Sequence, residues 1–445
     1  MNLTCRRTCL FLGLACSFIP SFVLSANNEQ LLEALTLERA LQQASIEHPD
    51  LQMAAAGVEK AKAEQLLIDA NTDFESRVSA RLRWIDPPDI AYDQSQDDHR
   101  LSLFVNKRLY DFGYTKSLKQ AVEAGVLNRE HYYRYAVNQH RLSIMAAFFN
   151  ALLADLANGR NEEEVKITFV YADRAENRNE LGMVSDIDMF EARSVYQASR
   201  TRLHQSRALQ RTARATLADT LNSPDNLPSD LSTPELLGNN RKVPESVDEW
   251  LAIAEKENPL IHALQAKVVS MQRYLASARE TTSPVLSSEV EVSSYTREAG
   301  SYDNWRAGVT LDVPLPINGK TKAAVASRRA ELNKAKAELE QQRRKIRQAV
   351  LESWSDLKTL NIERDRVESV IEFRDLYLDR SRALYQLEVK TDFGDAMLRS
   401  HEAHLDKMKN KFAIALAWAR IEALLGKTVN SGDDLNAQST EEERP

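Results

Sequence analysis

The sequence predicts a mainly α protein with a β-barrel contribution, made of a duplicated helix–β-hairpin–helix repeat. Three observations carry this. One pattern occurs twice in order: LTLERALQQASIEHPDL, ending at Leu51, precedes two alternating segments and the turn Asp111-Phe112-Gly113. VDEWLAIAEKENPL (Val247–Leu260) precedes two more and the turn Ile317-Asn318-Gly319. The spacing repeats too, since Gly113 to Asp186 and Gly319 to Asp392 are both 73 residues (186 − 113 and 392 − 319). Self-similarity of this kind is the sign of stacked units. Finally, no proline falls between Pro88 and Pro224 or between Pro316 and Pro445. Because Pro breaks a helix interior, those gaps are where long helices run.

Taken in order, residues 1–25 read as a secretory signal peptide. Arg6 and Arg7 form the charged region, Leu10–Leu24 the apolar run, and Ser25 or Ala26 the cleavage point. All three cysteines (Cys5, Cys9, Cys16) lie in this segment, so the exported chain is expected to carry no disulfide framework. The formal charge of −7 becomes −9 once Arg6 and Arg7 are removed (−7 − 2). That balance, with no basic stripe to offset it, argues against nucleic acid as a partner.

The first repeat spans 31–222, with strands expected at about 72–86 and 99–110. Phe74, Val78, Ala80, Leu82 and Trp84 share one face of the first strand, opposite Asp73, Glu75, Arg77, Ser79, Arg81 and Arg83. The second strand sets Leu101, Leu103, Val105 and Leu109 against Arg100, Ser102, Asn106 and Arg108. From Tyr114 to Leu181 the chain then reads as one helix of 68 residues, on the order of 100 Å. Leu118, Val122, Leu142, Met145, Phe149, Leu152 and Leu156 recur along it at coiled-coil-like steps. Shorter helices over about 50–72 and 187–222 add up to nearly the same length and are expected to lie end to end beside it.

A proline-rich linker, 223–246, holds Pro224, Pro228, Pro234 and Pro244 and leads to the second repeat, 247–427. Its strands are expected at about 284–297 and 304–313. Leu286, Val290 and Val292 oppose Ser287, Glu289, Glu291 and Ser293, and Trp305, Ala307, Val309, Leu311 and Val313 oppose Arg306, Thr310 and Asp312. The tail, 428–445, reads as disordered.

Period-2 alternation fits any half-buried strand, including a soluble sheet packed on a helix. The density of charge on the polar faces, together with the export signal, favours strands of an outer-membrane barrel. Four strands cannot close alone, and an open edge in lipid leaves backbone groups unsatisfied. Two copies would give eight strands and a filled interior, whereas three give twelve and leave a pore. The charged inner faces need water, which selects the trimer. Arg77, Arg81, Arg83, Glu289, Glu291 and Arg306 are then the candidate lumen residues.

With these features in place, the chain resembles the TolC-like outer-membrane efflux protein family from about Leu37 to Lys427. The resemblance rests on the paired openings quoted above, the strand-to-helix turns RLYDFGYTKS and LDVPLPINGKTKA, and the helix-tip segments LGMVSDIDMFEAR and YQLEVKTDFGDAML. It implies a homotrimer with a 12-stranded outer-membrane β-barrel continued by a 12-helix periplasmic α-barrel. It also implies a periplasmic adaptor and an inner-membrane RND or ABC-type exporter as partners. By motif position, the periplasmic gate falls on Asp188, Tyr385 and Lys390. Glu388 stands where the family usually has Gly, and Lys390 where an Arg would bond in two-pronged geometry. The family's acidic entrance ring is not matched residue for residue; Asp392 and Asp395 are the nearby candidates. The alternative to the gate is that these are ordinary polar residues of exposed turns.

Catalytic motifs are look-alikes. Asn318-Gly319-Lys320-Thr321 resembles the end of a phosphate loop, but Pro314 occupies the place of its first Gly, and His401-Glu402-Ala403-His404 has the wrong spacing for a zinc helix. No enzyme, cofactor or metal site is expected. The favoured function is a passive outer-membrane duct for small molecules. The alternatives are the duct of a type I protein secretion system or a soluble periplasmic coiled-coil adaptor.

Overall fold

Two helices of 67 residues each form the long axis of the protein, one per repeat. The computed structural model describes residues 34–42, 48–228, 230–234, 237–239, 241–297, 303–315, 319–387, 389 and 392–429. The expected signal peptide, Glu388 and Lys390 lie outside these residues. In the first repeat, α1 (Leu37–Gln42) and α2 (Pro49–Ala70) lead to β1 (Glu75–Arg81) and β2 (Arg100–Tyr110), then α3 (Tyr114–Glu180) and α4 (Asp186–Thr220). In the second, α5 (Asp248–Glu257) and α6 (Pro259–Glu280) lead to β3 (Val285–Tyr295) and β4 (Trp305–Asp312), then α7 (Lys320–Gln386) and α8 (Phe393–Leu424).

The two halves match closely. The long helices α3 and α7 have 67 residues each, and α2 and α6 have 22 each. Both 22-residue helices begin with a proline at their first turn, where its missing N–H costs nothing. Ahead of Pro259, the Asn258 side chain accepts from the amides of Leu260 and Ile261, an N-cap that satisfies two orphan donors. Gly113, at φ +109°, makes the turn from β2 into α3, a backbone angle that favours glycine.

The helices form one curtain at two levels. Near the strands the order is α2–α3–α6–α7; at the far end it is α4–α3–α8–α7, with α3 and α7 running through both. Stacked end to end, α2 and α4 hold 57 residues (22 + 35), or roughly 86 Å, against about 100 Å for α3. The four strands pair antiparallel in the order β1-β2-β3-β4. Each strand therefore continues one helix of the curtain, in the same lateral order. The ladder of β1 ends at Arg81, short of the expected 86. Only single bonds carry the hairpin further, from Asp98 N–H to Arg83 and from Ile85 N–H to Gln96, because Pro87 and Pro88 follow and have no N–H to continue a ladder.

The main apolar core lies at the belt where the two helical levels meet. Phe148, Phe149, Ile144 and Leu152 of α3 pack with Phe412 of α8, Leu217 of α4 and Leu37 and Leu41 of α1; the rings of Phe149 and Phe412 stack at 4.6 Å. A second cluster joins Ile346, Val350 and Leu357 of α7 to Ile414, Trp418 and Ile421 of α8. Two connecting segments join this core. In the linker, Leu237 is buried in the main core and Leu231 bridges to Leu35. Val429, expected in a disordered tail, is fully buried in that core. In both cases an apolar side chain in a polar segment found the gap left between stacked helix ends.

Gly426, at φ +80°, ends α8, and an added Cβ would run into the backbone carbonyl of Glu257. Gly182, at φ +71° after α3, has open space around it. Gly182→Ala is expected to cost about 1–2 kcal/mol from the left-handed backbone alone. Gly426→Ala adds a clash with rigid backbone, so thermal unfolding in detergent should show the clearly larger drop in midpoint for Gly426→Ala.

Candidate functional site: a charged channel wall and its helical entrance

The register of the sheet sorts side chains into two chemically distinct faces. One row of four reads Val78, Leu103, Val292 and Trp305; the adjacent row on the other face reads Arg77, Phe104, Glu291 and Arg306. The apolar row is exposed throughout, with Val78 at 68% and Trp305 at 69%. A face of this kind belongs against lipid or another apolar surface. Lys107 brings a charge to this face, which also holds Ser76, Ser288 and Ser294. Its ammonium lies 4.2 Å from the Phe74 ring centroid, at the end of the sheet nearest the helices, where a lysine can reach water.

The polar face is organised around Glu291, which is only 2% exposed. Its carboxylate meets Arg306 at 2.7 Å, accepts from Ser293 Oγ at 2.7 Å and pairs with Arg100. Arg100 also donates to Ser102 Oγ at 2.8 Å, and the Ser102 and Ser293 hydroxyls are 2.7 Å apart. Glu289 is 3.3 Å from the same Arg306. Arg83 binds Asp98 at the far end of the hairpin. Arg77 sits over Phe104, 5.1 Å from its centroid, and Arg81 is exposed. Arg77, Arg81, Glu289, Glu291 and Arg306 thus share one face of the sheet, while Arg83 lies beyond the end of β1. Arg100 and Ser293, which the alternation already placed on the polar faces, join this cluster beside the named candidates; Phe104, which breaks the alternation, was missed.

At the opposite end are the helix tips. Ser185 caps α4 by accepting from the amide of Asp188 at 3.2 Å, and its hydroxyl donates to the Asp188 carboxylate at 2.7 Å. The Tyr385 ring stacks on Phe393 at 5.6 Å. Among the described residues, Asp188 and Tyr385 share no hydrogen bond. Asp392 accepts from the Tyr377 hydroxyl at 2.9 Å, and Asp395 pairs with Arg399 at 2.9 Å. A residue the sequence reading missed closes this cluster: Tyr171 of α3 hydrogen-bonds the backbone of Gly394. Any Cβ on Gly394 would meet Tyr171 Oη at 2.7 Å and Ile167 Cγ2 at 2.8 Å. Burial, then the nearby Asp395 carboxylate, pushes the Tyr171 phenol up. Its signal was present in the repeat, since Tyr377 follows Tyr171 by 206 residues (377 − 171), as Gly319 follows Gly113 (319 − 113).

The catalytic look-alikes have structural explanations. Gly319 opens α7, while Asn318 lies outside the described residues. His404 meets Asp375 of α7 at 3.4 Å, tying α8 to α7 beside a Ser400–Asp375 hydrogen bond of 2.9 Å. Among the described residues no group of three or more His, Cys, Asp or Glu could hold a metal.

Comparison with known proteins follows this geometry. Residues 250–427 match the model of the outer membrane efflux protein family. The fold is that of the CmeC outer membrane channel of Campylobacter jejuni, with TM-score 0.74 and 14% identity over 91% of this chain and 89% of that one. It is also that of CusC, with TM-score 0.70 and 18% identity over 92% and 96%. The open state of the MtrE outer membrane channel of Neisseria gonorrhoeae gives TM-score 0.71 and 16% identity over 89% and 90%. Protein CyaE of Bordetella pertussis is 25% identical over 264 residues, 56% of this chain and 54% of the relative. The chain thus spans about half the length of that curated relative. The fold, a long helical body carrying a small sheet, is the one these outer-membrane channels share. The second repeat thus carries the match to the outer membrane efflux protein family, and the fold over most of the chain is that of these channels.

Two histidine pairs staple α3 to its neighbours at the belt. His48 and His140 have ring centroids 4.2 Å apart, and His131 and His262 stack at 5.3 Å. Burial, then the facing imidazole, holds both His131 and His140 below the ordinary 6.5; Asp50 opposes this at His140, while at His131 Arg134 adds to it and Glu130 opposes it. A depressed histidine leaves the folded state short of protons relative to the unfolded chain. Its stabilising effect is complete above 6.5 and declines as pH falls below it. The unfolding midpoint should therefore drop between about pH 7.5 and 5.5, before carboxylates titrate. The double variant His131→Gln/His140→Gln should show a shallower drop.

Proposed function

We propose that three copies of this chain close into a twelve-stranded barrel on a twelve-helix tunnel, forming a passive outer-membrane duct for small molecules. The observation that carries this reading is a coincidence of edges. The sheet ends at β1 and β4, and the helical curtain ends at α2 with α4 on one side and α7 on the other. One lateral step from copy to copy therefore serves strands and helices at once. The apolar face then meets lipid, and the Glu291 cluster lines water. A duct of this type contributes no energy of its own. An inner-membrane transporter of the RND or ABC type, joined through a periplasmic adaptor, would drive export.

The gate is assigned to the helix tips, with Asp188, Tyr385 and Lys390 as its polar links and Asp392 and Asp395 as entrance acids. An exposed ion pair there is worth on the order of 1 kcal/mol or less. Repeated around three copies, such links can hold an entrance shut and still let it open. Asp188 is already tied to Ser185 within its own helix, so a gate link would use the second oxygen of its carboxylate.

Protein extracted in detergent from outer membranes is expected at about three protomer masses and should form pores in a planar bilayer. A monomer without conductance would end the duct reading. Within the trimer, Asp188→Ala with Lys390→Ala should raise single-channel conductance; an unchanged value would remove both residues from the gate.

A further inference from the structure

Resting on the trimeric reading, we infer that the seam between copies repeats the seam inside the chain, with Arg344 and Arg347 of one copy clipping the turn that ends α4 in the next. The chain supplies its own template. Inside it, α3 of the first repeat runs along α6 and α8 of the second. At the belt, Asn138 of α3 donates to the carbonyl of Lys427 at 3.0 Å, and Arg141 donates to the carbonyl of Val429. Both acceptors lie just past the left-handed residue Gly426 that ends α8.

The repeat transfers this contact to the free edge of α7. Adding the offset of 206 (319 − 113) turns Asn138 into Arg344 and Arg141 into Arg347 on α7. Both are exposed, and neither has a hydrogen-bond or ion-pair partner among the described residues. The helix that α7 lacks at this edge is α4, whose end carries its own left-handed residue, Asn222 at φ +56°. Aligned by their left-handed residues, Asn222 with Gly426 (an offset of 204, 426 − 222), the two helix ends place Ser223 where Lys427 stands and Asp225 where Val429 stands. Asp225 and the nearby Asp219 are exposed carboxylates without ion-pair partners among the described residues. Inside the chain a neutral amide and one arginine face carbonyls; between copies two arginines would face a helix end that carries Asp225, with Asp219 nearby.

Apolar positions follow the same rule. Met145 of α3 is 3% exposed inside the chain, whereas its counterpart Leu351 on α7 is 40% exposed. Ile167, which lies against α8 at Gly394, corresponds to Phe373, also largely exposed. The free edge of α7 therefore carries the side chains of a packed seam without the partner that packs it, and its cations match the acids of the opposite edge. A second copy is the occupant that meets both conditions.

The test uses the full chain extracted from outer membranes. Arg344→Glu with Arg347→Glu, and separately Asp219→Lys with Asp225→Lys, should each lower the temperature at which the trimer dissociates, and all four changes together should restore it. In parallel, Arg347→Cys with Asp225→Cys should give a covalent trimer under oxidation, while either cysteine alone should not. A wild-type monomer would overturn the trimer and the clip together. A wild-type trimer that tolerates both charge reversals and yields no cross-link would overturn the clip alone.

Discussion

The hydrogen-bonding groups at the two outer strands set the terms for everything else. A strand at the edge of a sheet presents a row of unpaired N–H and C=O groups, and in hydrocarbon each unpaired group costs several kcal/mol. Here β1 and β4 are such edges, and the face they border is apolar from Phe74 to Trp305. The same face that favours lipid therefore makes the isolated chain unsuited to it. Closure through further copies would resolve the conflict, and it would also give the opposite face an aqueous interior in which the Arg100–Glu291–Arg306 cluster is tolerable. Buried in lipid, that many charges would be prohibitive.

Duplication supplies the regularity that closure needs. Because α3 and α7 have equal lengths, as do α2 and α6, each repeat advances the curtain by an equal step. Each strand continues a helix in the same lateral order, so sheet and helical curtain share one geometry. The belt is where this plan is adjusted. There the ends of shorter helices meet, and α1, α5, the linker and Val429 fill the space with apolar side chains. The histidine pairs sit at the same height, linking the starts of α2 and α6 to α3.

Much of this was legible in the sequence because period and spacing survive without long-range information. Alternation placed Arg77, Glu291 and Arg306 on one face, and the proline gaps located both long helices. What was not legible depended on contacts between distant segments. Nothing local to Tyr171 says that it closes on Gly394, more than two hundred residues away, though the repeat links it to Tyr377. Phe104 on the polar face and Lys107 on the apolar one break the alternation. They do so through partners, Arg77 and Phe74, that only the register brings near. Leu237 and Val429 looked like parts of polar connectors because the cavity that holds them is formed by helix ends. For the tips, the sequence proposes roles for Asp188 and Tyr385, and the fold adds their local ties to Ser185 and Phe393.

The central claim is that β1 and β4 are paired with each other across copies. Amide hydrogen exchange on protein extracted from outer membranes addresses those edges directly. The account predicts that amides of Glu75–Arg81 and Trp305–Asp312 are protected as strongly as those of β2 and β3. Fast exchange at both outer strands, beside protected inner ones, would mean that the sheet stays open and that no barrel forms.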